Sequence, residues 1–203
     1  MGKKTEIETI LSAMVREIKK TGASSISNAD VQLINKSKVE EYDARIDEDI
    51  AASKAAGLSD EYINIIAESA FNMGSNHIGA LMIFPGIMPI ALMTSRGTQI
   101  KAPVTSNILE DIFFPGTKLH DGAAIIRRGT VERAAVFVNT ISRDDVGFKC
   151  GARHRAAMGI TKITDAIALV VSEETGKVEI ARKGKLETIA DKQSLIGILT
   201  KIK

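Results

Sequence analysis

The sequence predicts a mixed α/β (α+β) fold in which helices flank a central mixed β-sheet and a helical hairpin precedes this domain. Short, wholly apolar runs typical of buried strands alternate with segments whose apolar residues recur at helical spacing. Tight turns join some of the strand candidates, which favours a mixed sheet over a purely parallel one. The chain has 203 residues, enough for a domain with its own core and an additional extension.

The composition is typical of a soluble globular protein, with 44% hydrophobic and 26% charged residues. The net charge of +2 argues against a strongly basic nucleic-acid binder. The single cysteine, Cys150, excludes an internal disulfide framework and indicates a reducing compartment. For this residue, a small side chain at a strand end is a better interpretation than a reactive thiol.

A long apolar stretch over residues 77–95 is the one candidate for a membrane segment. Pro85, Gly86 and Pro89 interrupt it, and a membrane helix needs about 20 continuous apolar residues. Two short strands around a Pro85-Gly86 turn explain the stretch better. No apolar segment follows Lys3 and Lys4, so the N-terminus lacks the pattern of a secretory signal. We therefore expect a cytoplasmic protein with neither a membrane nor a nucleic-acid partner.

Residues 1–57 read as two helices. The first has apolar residues on one face up to Ile18 and stops at Gly22. The second is capped by Ser27 or Asn28 and ends at Gly57. We expect this hairpin to be a regulatory extension and residues 58–203 to form a separate domain.

The second domain is predicted to interleave helices and strands. A helix starts at Ser59, with Ile63, Ile66, Ala67 and Ala70 on its buried face. Later helices are expected over residues 108–113 (capped near Ser106 or Asn107), 153–163 and 188–202. Strands are expected over residues 80–84, 87–93, 123–127, 131–138, 166–171 and 178–181.

Polar residues that suit phosphate chemistry interrupt this apolar pattern. Asp121-Gly122-Ala123, preceded by His120, comes just before a predicted strand, where side chains project into a crevice at the end of a sheet. Gly122 leaves room for a ligand or backbone to approach. Taken alone, Asp-Gly is also a common turn.

Arg153-His154-Arg155 opens a predicted helix. The helix dipole disfavours cations at this end, so paired arginines indicate an anion supplied from outside, although a solvated first turn is the simpler alternative. Ser172-Glu173-Glu174 follows an apolar strand and offers carboxylates for a divalent metal, or else is an ordinary acidic turn. A three-histidine zinc site or a Ser-His-Asp hydrolase is not excluded, but no supporting motif is present.

These runs, with Gly151-Ala152-Arg153-His154-Arg155-Ala156-Ala157 and Thr164-Asp165-Ala166, resemble the diadenylate cyclase (DisA_N, DAC) family. The resemblance covers roughly residues 59–190, and the helical extension resembles that of the CdaS-type branch. It implies a DisA_N-like sheet and a nucleotidyltransferase that condenses two ATP into 3′,5′-linked cyclic di-AMP and two pyrophosphates. One ATP would bind per subunit, and two subunits would meet face to face in a homodimer.

The resemblance also implies roles for single residues. Asp121 would activate the 3′-hydroxyl, directly or through Mg²⁺ or Mn²⁺, with His120 and Glu173 as further metal ligands. Gly122 and Ala123 would let the nucleotide approach, Arg153 and Arg155 would hold the triphosphate, and His154 would orient the motif. Ser172 and Glu174 would contact ATP.

One departure from the family pattern concerns Ala152, where the family often has threonine. Losing one hydrogen bond to a charged group costs about 1.5–3 kcal/mol, which predicts weaker ATP binding or slower turnover. A catalytically weak, nucleotide-binding regulatory module is therefore the alternative function. The unpartnered apolar stripe of residues 1–57 further predicts autoinhibition, in which these helices hold subunits in another, possibly larger, homo-oligomer.

Overall fold

The computed structural model describes residues 58–86, 88–95, 97–138 and 150–202. The predicted helices of residues 1–57 lie outside this part of the chain. The described helices are α1 (Asp60–Ser75), α2 (Ser106–Phe113), α3 (Ala152–Ile163) and α4 (Lys192–Leu199), with short 3-10 turns at Ala91–Met93 and Thr200–Ile202. The strands are β1 (Ala80–Phe84), β2 (Thr98–Pro103), β3 (Ala123–Arg127), β4 (Thr130–Val136), β5 (Ile167–Val171), β6 (Val178–Arg182) and β7 (Lys185–Thr188).

The strands form one seven-stranded mixed sheet in the order β2-β4-β3-β1-β5-β6-β7. The central strand β1 runs parallel to β3, with Met82 opposite Ala124, and antiparallel to β5, with Ala80 opposite Val171. The remaining neighbours pair antiparallel. The parallel and antiparallel pairs together confirm the predicted mixed sheet. The register places the start of β1, the start of β3 and the end of β5 side by side at the same end of the strands.

Helices cover both faces of the sheet, which explains why every residue of β1 is buried. Ala80, Met82 and Phe84 point to the face packed by α1, α2 and α4. Leu81 and Ile83 point to the other face, where α3 packs. The alternation follows from the two-residue period of a strand and makes two separate apolar layers.

Several predicted elements are confirmed by local chemistry as well as by position. Ser59 caps α1 by accepting a hydrogen bond from the amide of Tyr62, and Ile63, Ile66 and Ala67 are buried as expected. The β3–β4 hairpin turns at Arg128 and Gly129, whose φ angles of 51° and 74° are both left-handed. This conformation suits a two-residue turn between twisted strands.

The predicted strand over residues 87–93 is wrong. Pro89 cannot donate a ladder hydrogen bond, and Ile90 adopts a helical conformation that starts the 3-10 turn. The amide of Met88 donates to the carboxylate of Asp165 at 2.9 Å rather than to a neighbouring strand. Within the described ranges, no helix has the length and apolarity needed to cross a membrane.

The other errors fall at the margins of the sheet. Both β2 and β7 were missed, because they are polar edge strands whose residues are mostly exposed or half-buried. The last helix does not begin at residue 188, since β7 ends there and Asp191 caps α4 instead. The cap of α2 is Thr105, one residue before the predicted choice, because its hydroxyl accepts the amide of Ile108.

Candidate functional site at one edge of the sheet

Arg153 brings the separate sequence motifs together. Its Nη1 donates to Oε2 of Glu173 at 2.9 Å, and its Nη2 donates to the backbone carbonyl of His120 at 3.2 Å. One guanidinium therefore joins the start of α3, the turn after β5 and the segment that leads to Asp121. Among the described residues, its buried Nε has no hydrogen-bond partner, which leaves a donor unsatisfied inside the site.

The rest of the Arg-His-Arg motif is anchored to its surroundings. Nε2 of His154 lies 2.8 Å from Oε2 of Glu179 on β6, and the other oxygen of Glu179 accepts the hydroxyl of Thr188 at 3.2 Å. Nη1 of Arg155 donates to the carbonyl of Cys150 at 2.8 Å. These contacts tie the first turn of α3 to β6 and to its own N-terminal flank.

The turn between β5 and β6 positions the acidic residues. The hydroxyl oxygen of buried Ser172 accepts the amide of Thr175 at 3.2 Å, so its own proton is still available for donation. Nδ1 of His77 contacts the carbonyl of Glu173 at 3.2 Å. The turn also packs backbone to backbone on α1, because a Cβ on Gly74 would lie only 2.4 Å from the carbonyl oxygen of Gly176.

An open cavity of about 290 Å³ lies between the first turn of α3 and the β5–β6 turn. Its walls include Ala152, Arg153, His154, Ser172, Glu173 and Glu174. Asp121 is not part of this lining; it follows His120 in the chain, and its side chain is exposed. The cavity thus presents hydrogen-bond donors, cations and carboxylates close together, as a polyphosphate with its counter-ion requires.

A family model described as "DisA bacterial checkpoint controller nucleotide-binding" (DAC) matches residues 67–186, which is more than half of the sequence. The chain belongs to the DAC family. The matched segment runs from α1 to β7 and includes the cavity and all of the predicted site residues. The predicted resemblance to this family is therefore confirmed.

Curated relatives are similar to between 60% and 68% of this chain. "Cyclic di-AMP synthase CdaS" of Bacillus subtilis (strain 168) is 39% identical over 121 residues, covering 60% of this chain and 58% of that protein. "Diadenylate cyclase CdaS" of Bacillus thuringiensis (strain BMB171) is 35% identical over 130 residues, covering 64% and 65%. "Cyclic di-AMP synthase CdaA" of Bacillus subtilis (strain 168) is 34% identical over 137 residues, covering 68% and 50%. The chain thus spans about half to two thirds of the length of these relatives.

Solved structures confirm the predicted fold. A double mutant of DacA from Staphylococcus aureus has a TM-score of 0.65 at 28% identity, covering 70% of this chain and 94% of that one. A structure titled as a hypothetical membrane spanning protein from Bacillus cereus has a TM-score of 0.62 at 26% identity, covering 92% and 93%. The mixed sheet with helices on both faces is therefore the DAC fold.

The described part of the DAC domain offers a metal ion the carboxylate oxygens of residues such as Asp121 and Glu173. Among the described residues, no group of three or more His, Cys, Asp or Glu side chains is placed to hold a metal. The predicted set of Asp121, His120 and Glu173 therefore stays a prediction. Exposed carboxylates such as Asp121 and Glu173 suit Mg²⁺ or Mn²⁺ that binds mainly through substrate phosphates, because such ions usually take only one or two protein carboxylates.

Gly122 allows the close approach of backbone that was predicted for it. Its φ of +123° is unfavourable for other residues, and a Cβ there would lie 2.9 Å from backbone atoms of Ala135 and Val136. The glycine therefore lets the segment carrying Asp121 pack directly on β4. Whether it also admits a ligand stays a prediction.

Sequence reasoning missed the residues that support the DAC site from outside the motifs. They are Gly74, His77, Gly79 and Glu179. No local pattern distinguishes them, because each acts through a partner far away in the sequence.

Proposed function

We propose that the chain is a diadenylate cyclase that condenses two ATP molecules into cyclic di-AMP and two pyrophosphates. The observation that carries the proposal is the guanidinium of Arg153. It connects the segment before Asp121 to Glu173 beside a cavity lined by the side chains of Arg153, Ser172 and Glu174. The family and the names of its curated relatives support the same reaction.

The proposed reaction consists of two equivalent nucleotidyl transfers. In each, the 3′-oxygen of one ATP attacks the α-phosphorus of the other, and the bond from that phosphorus to the β-phosphate oxygen breaks. Pyrophosphate leaves with the bonding electrons, and the 3′-hydroxyl proton passes to Asp121 or to water. Two transfers close the ring and release two pyrophosphates, so atoms and charge balance.

The residues of one subunit would hold a single ATP. The guanidinium groups of Arg153 and Arg155 would hold the triphosphate, and the hydroxyl proton of Ser172 is a further donor at the cavity. His154 would act by holding the first turn of α3 to Glu179 rather than as a base. Bound Mg²⁺ or Mn²⁺, contacted by carboxylates such as Asp121, Glu173 or Glu174, would neutralise charge on the phosphates.

We infer that each subunit binds one ATP in this cavity and that the reaction needs a second copy of the site. We infer that two subunits meet face to face and that the exposed Asp121 faces the ATP of its partner. We also infer that residues 1–57 restrain this encounter and that the enzyme works in the cytoplasm without nucleic acid or membrane.

A nucleotide-binding module with weak or no turnover is the second candidate. Ala152 favours it, because this residue lines the cavity at the first position of α3 and supplies no hydroxyl. Tight ATP binding without cyclic di-AMP formation, in both full-length and truncated protein, would support the module over the enzyme.

The direct test is product analysis after incubation of the purified chain with ATP and either Mg²⁺ or Mn²⁺. The proposal expects cyclic di-AMP and pyrophosphate in a ratio of one to two. A folded protein that binds ATP and forms neither product would contradict it.

A further inference from the structure

Gly79 leaves open the space in which Arg153 meets Glu173. It is buried immediately before β1, and its φ lies outside the left-handed region, so its backbone is one that alanine can adopt. A Cβ built there would lie 2.7 Å from Nη1 of Arg153 and 2.8 Å from Oε2 of Glu173. These are the two atoms that form the 2.9 Å ion pair.

A methyl group at this position would therefore meet both ends of the ion pair. Real Cβ atoms essentially never approach other atoms within 3.0 Å, so the guanidinium or the carboxylate has to move. Both are far ends of long side chains, and the Glu173 side chain is 62% exposed. The movement therefore costs the fold little, but it displaces the groups that the proposed reaction uses.

Displacing the guanidinium would also disturb the other motif. The fork of Arg153 holds the carbonyl of His120 through Nη2 while Nη1 holds Glu173, and a planar guanidinium cannot move one nitrogen independently of the other. The segment before Asp121 would thus lose its link to α3. A single methyl group at residue 79 would therefore disturb both contacts of Arg153, the one with Glu173 and the one with the His120 carbonyl.

We propose that Gly79 is a positioning residue of the site: the absence of a side chain lets Arg153 and Glu173 close on each other and fixes where both meet the nucleotide. The inference rests on the proposed diadenylate cyclase function. It is specific to Gly79, because Gly122 is constrained by its left-handed φ and by nearby backbone, so that its substitution disturbs the fold itself.

Gly79→Ala in the full-length protein tests the proposal, with Gly197→Ala as the matched control, since a Cβ at Gly197 meets nothing within 4 Å. Steady-state kinetics, ATP binding by calorimetry and thermal unfolding are measured for both variants. Gly79→Ala is expected to lower kcat/KM by about ten- to hundredfold, the range that a displacement of about 1 Å produces. Its Tm is expected to stay close to that of the wild type, and Gly197→Ala is expected to keep wild-type kinetics.

A double-mutant cycle separates positioning from a general structural defect. Glu173→Asp withdraws the carboxylate by one methylene and so makes room for the Cβ at residue 79. In the Glu173→Asp background, Gly79→Ala should therefore cost less activity and less ATP affinity than in the wild type. Equal costs in the two backgrounds, or a loss of activity that follows a large fall in Tm, would overturn the proposal.

The outcomes also separate this inference from the proposed function. If the wild type makes no cyclic di-AMP but binds ATP, the proposed function fails, and weaker ATP binding by Gly79→Ala than by Gly197→Ala would still support the role of Gly79. If the wild type is active and Gly79→Ala matches it in kcat/KM, the positioning role alone fails. A wild type that neither binds nor converts ATP contradicts both.

Discussion

At the scale of single residues, Arg153 determines how the site is assembled. Sequence reasoning identified the motif and its proximity to a helix start, because cations are unusual at that end of a helix. The family resemblance implies that Arg153 holds the triphosphate, which stays a prediction. The structure adds that two nitrogens of the guanidinium donate to Glu173 and to the His120 carbonyl. Those partners lie 20 and 33 residues away, and no local pattern encodes them.

Asp121→Asn is expected to reduce cyclic di-AMP formation by at least about a hundredfold, because the amide cannot accept the 3′-hydroxyl proton. The side chain is exposed, so the Tm should not change. Product formation from ATP and thermal unfolding check both expectations. Asp111→Asn is the control, because Asp111 is an exposed carboxylate on α2, and this variant should keep full activity. Equal rates in the Asp121 and Asp111 variants would contradict the role of Asp121.

A second residue-scale prediction concerns pH and the cap of α4. The backbone amide of Ser194, which donates to the Asp191 carboxylate at 2.8 Å, holds the pKa of that carboxyl below its usual value of 3.8. A lowered pKa stabilises the fold above pH 3.8, and this stabilisation is lost as the pH falls through the folded-state value.

Asp191→Ala should therefore lower the Tm by a few degrees at pH 7, and its difference from the wild type should shrink below about pH 4. Asp191→Asn keeps an acceptor that does not titrate, so the gap between Asn and Ala should not vary with pH. Thermal unfolding between pH 7 and pH 3 measures both Tm differences, wild type against Asp191→Ala and Asp191→Asn against Asp191→Ala. A wild-type advantage that grows as the pH falls would refute the sign of this effect.

At the scale of elements, burial determined what could be predicted from the sequence. The apolar runs of β1 and β5 and the amphipathic α1 were identified because each buries a continuous face. The edge strands β2 and β7 carry no such pattern, because one side of each is unpaired and their side chains are largely exposed. Their existence depends on pairing with β4 and β6, which is a tertiary property.

At two glycines within helices, substitution by alanine is predicted to change the stability of the fold in opposite directions. Gly197→Ala in α4 should stabilise the protein by up to about 1 kcal/mol, because alanine favours the helix and its Cβ meets open space. Gly74→Ala in α1 should instead destabilise it by about 1–3 kcal/mol, because the Cβ would meet the Gly176 carbonyl at 2.4 Å. Chemical denaturation measures both; stabilisation by Gly74→Ala would disprove the tight contact between α1 and the β5–β6 turn.

At the scale of the whole molecule, the order and direction of the strands explain why motifs distant in the sequence lie close together. The parallel β1 and β3 and the antiparallel β5 bring Gly79, Gly122 and Ser172 to the same side of the sheet. The sequence order of the motifs did not predict this meeting, because it depends on the strand order. The family resemblance supplied the fold in advance, and the structure supplies the contacts that make the motifs one site.

The extension gives a prediction at this scale. Removing residues 1–57 should raise the specific activity several-fold if this predicted helical extension restrains the face-to-face encounter. The truncation keeps Leu58, which belongs to the core, and Ser59, which caps α1. Activity is compared at matched concentration, with circular dichroism and sedimentation as controls. An unchanged or lower rate in a folded truncation would refute autoinhibition.

The most direct test of the account is mass-spectrometric product analysis of the full-length and truncated chains after incubation with ATP and Mg²⁺ or Mn²⁺. We predict cyclic di-AMP with two pyrophosphates per product, and loss of the product in Asp121→Asn. Folded protein that binds ATP but yields no cyclic di-AMP in either form and with either metal would contradict the account.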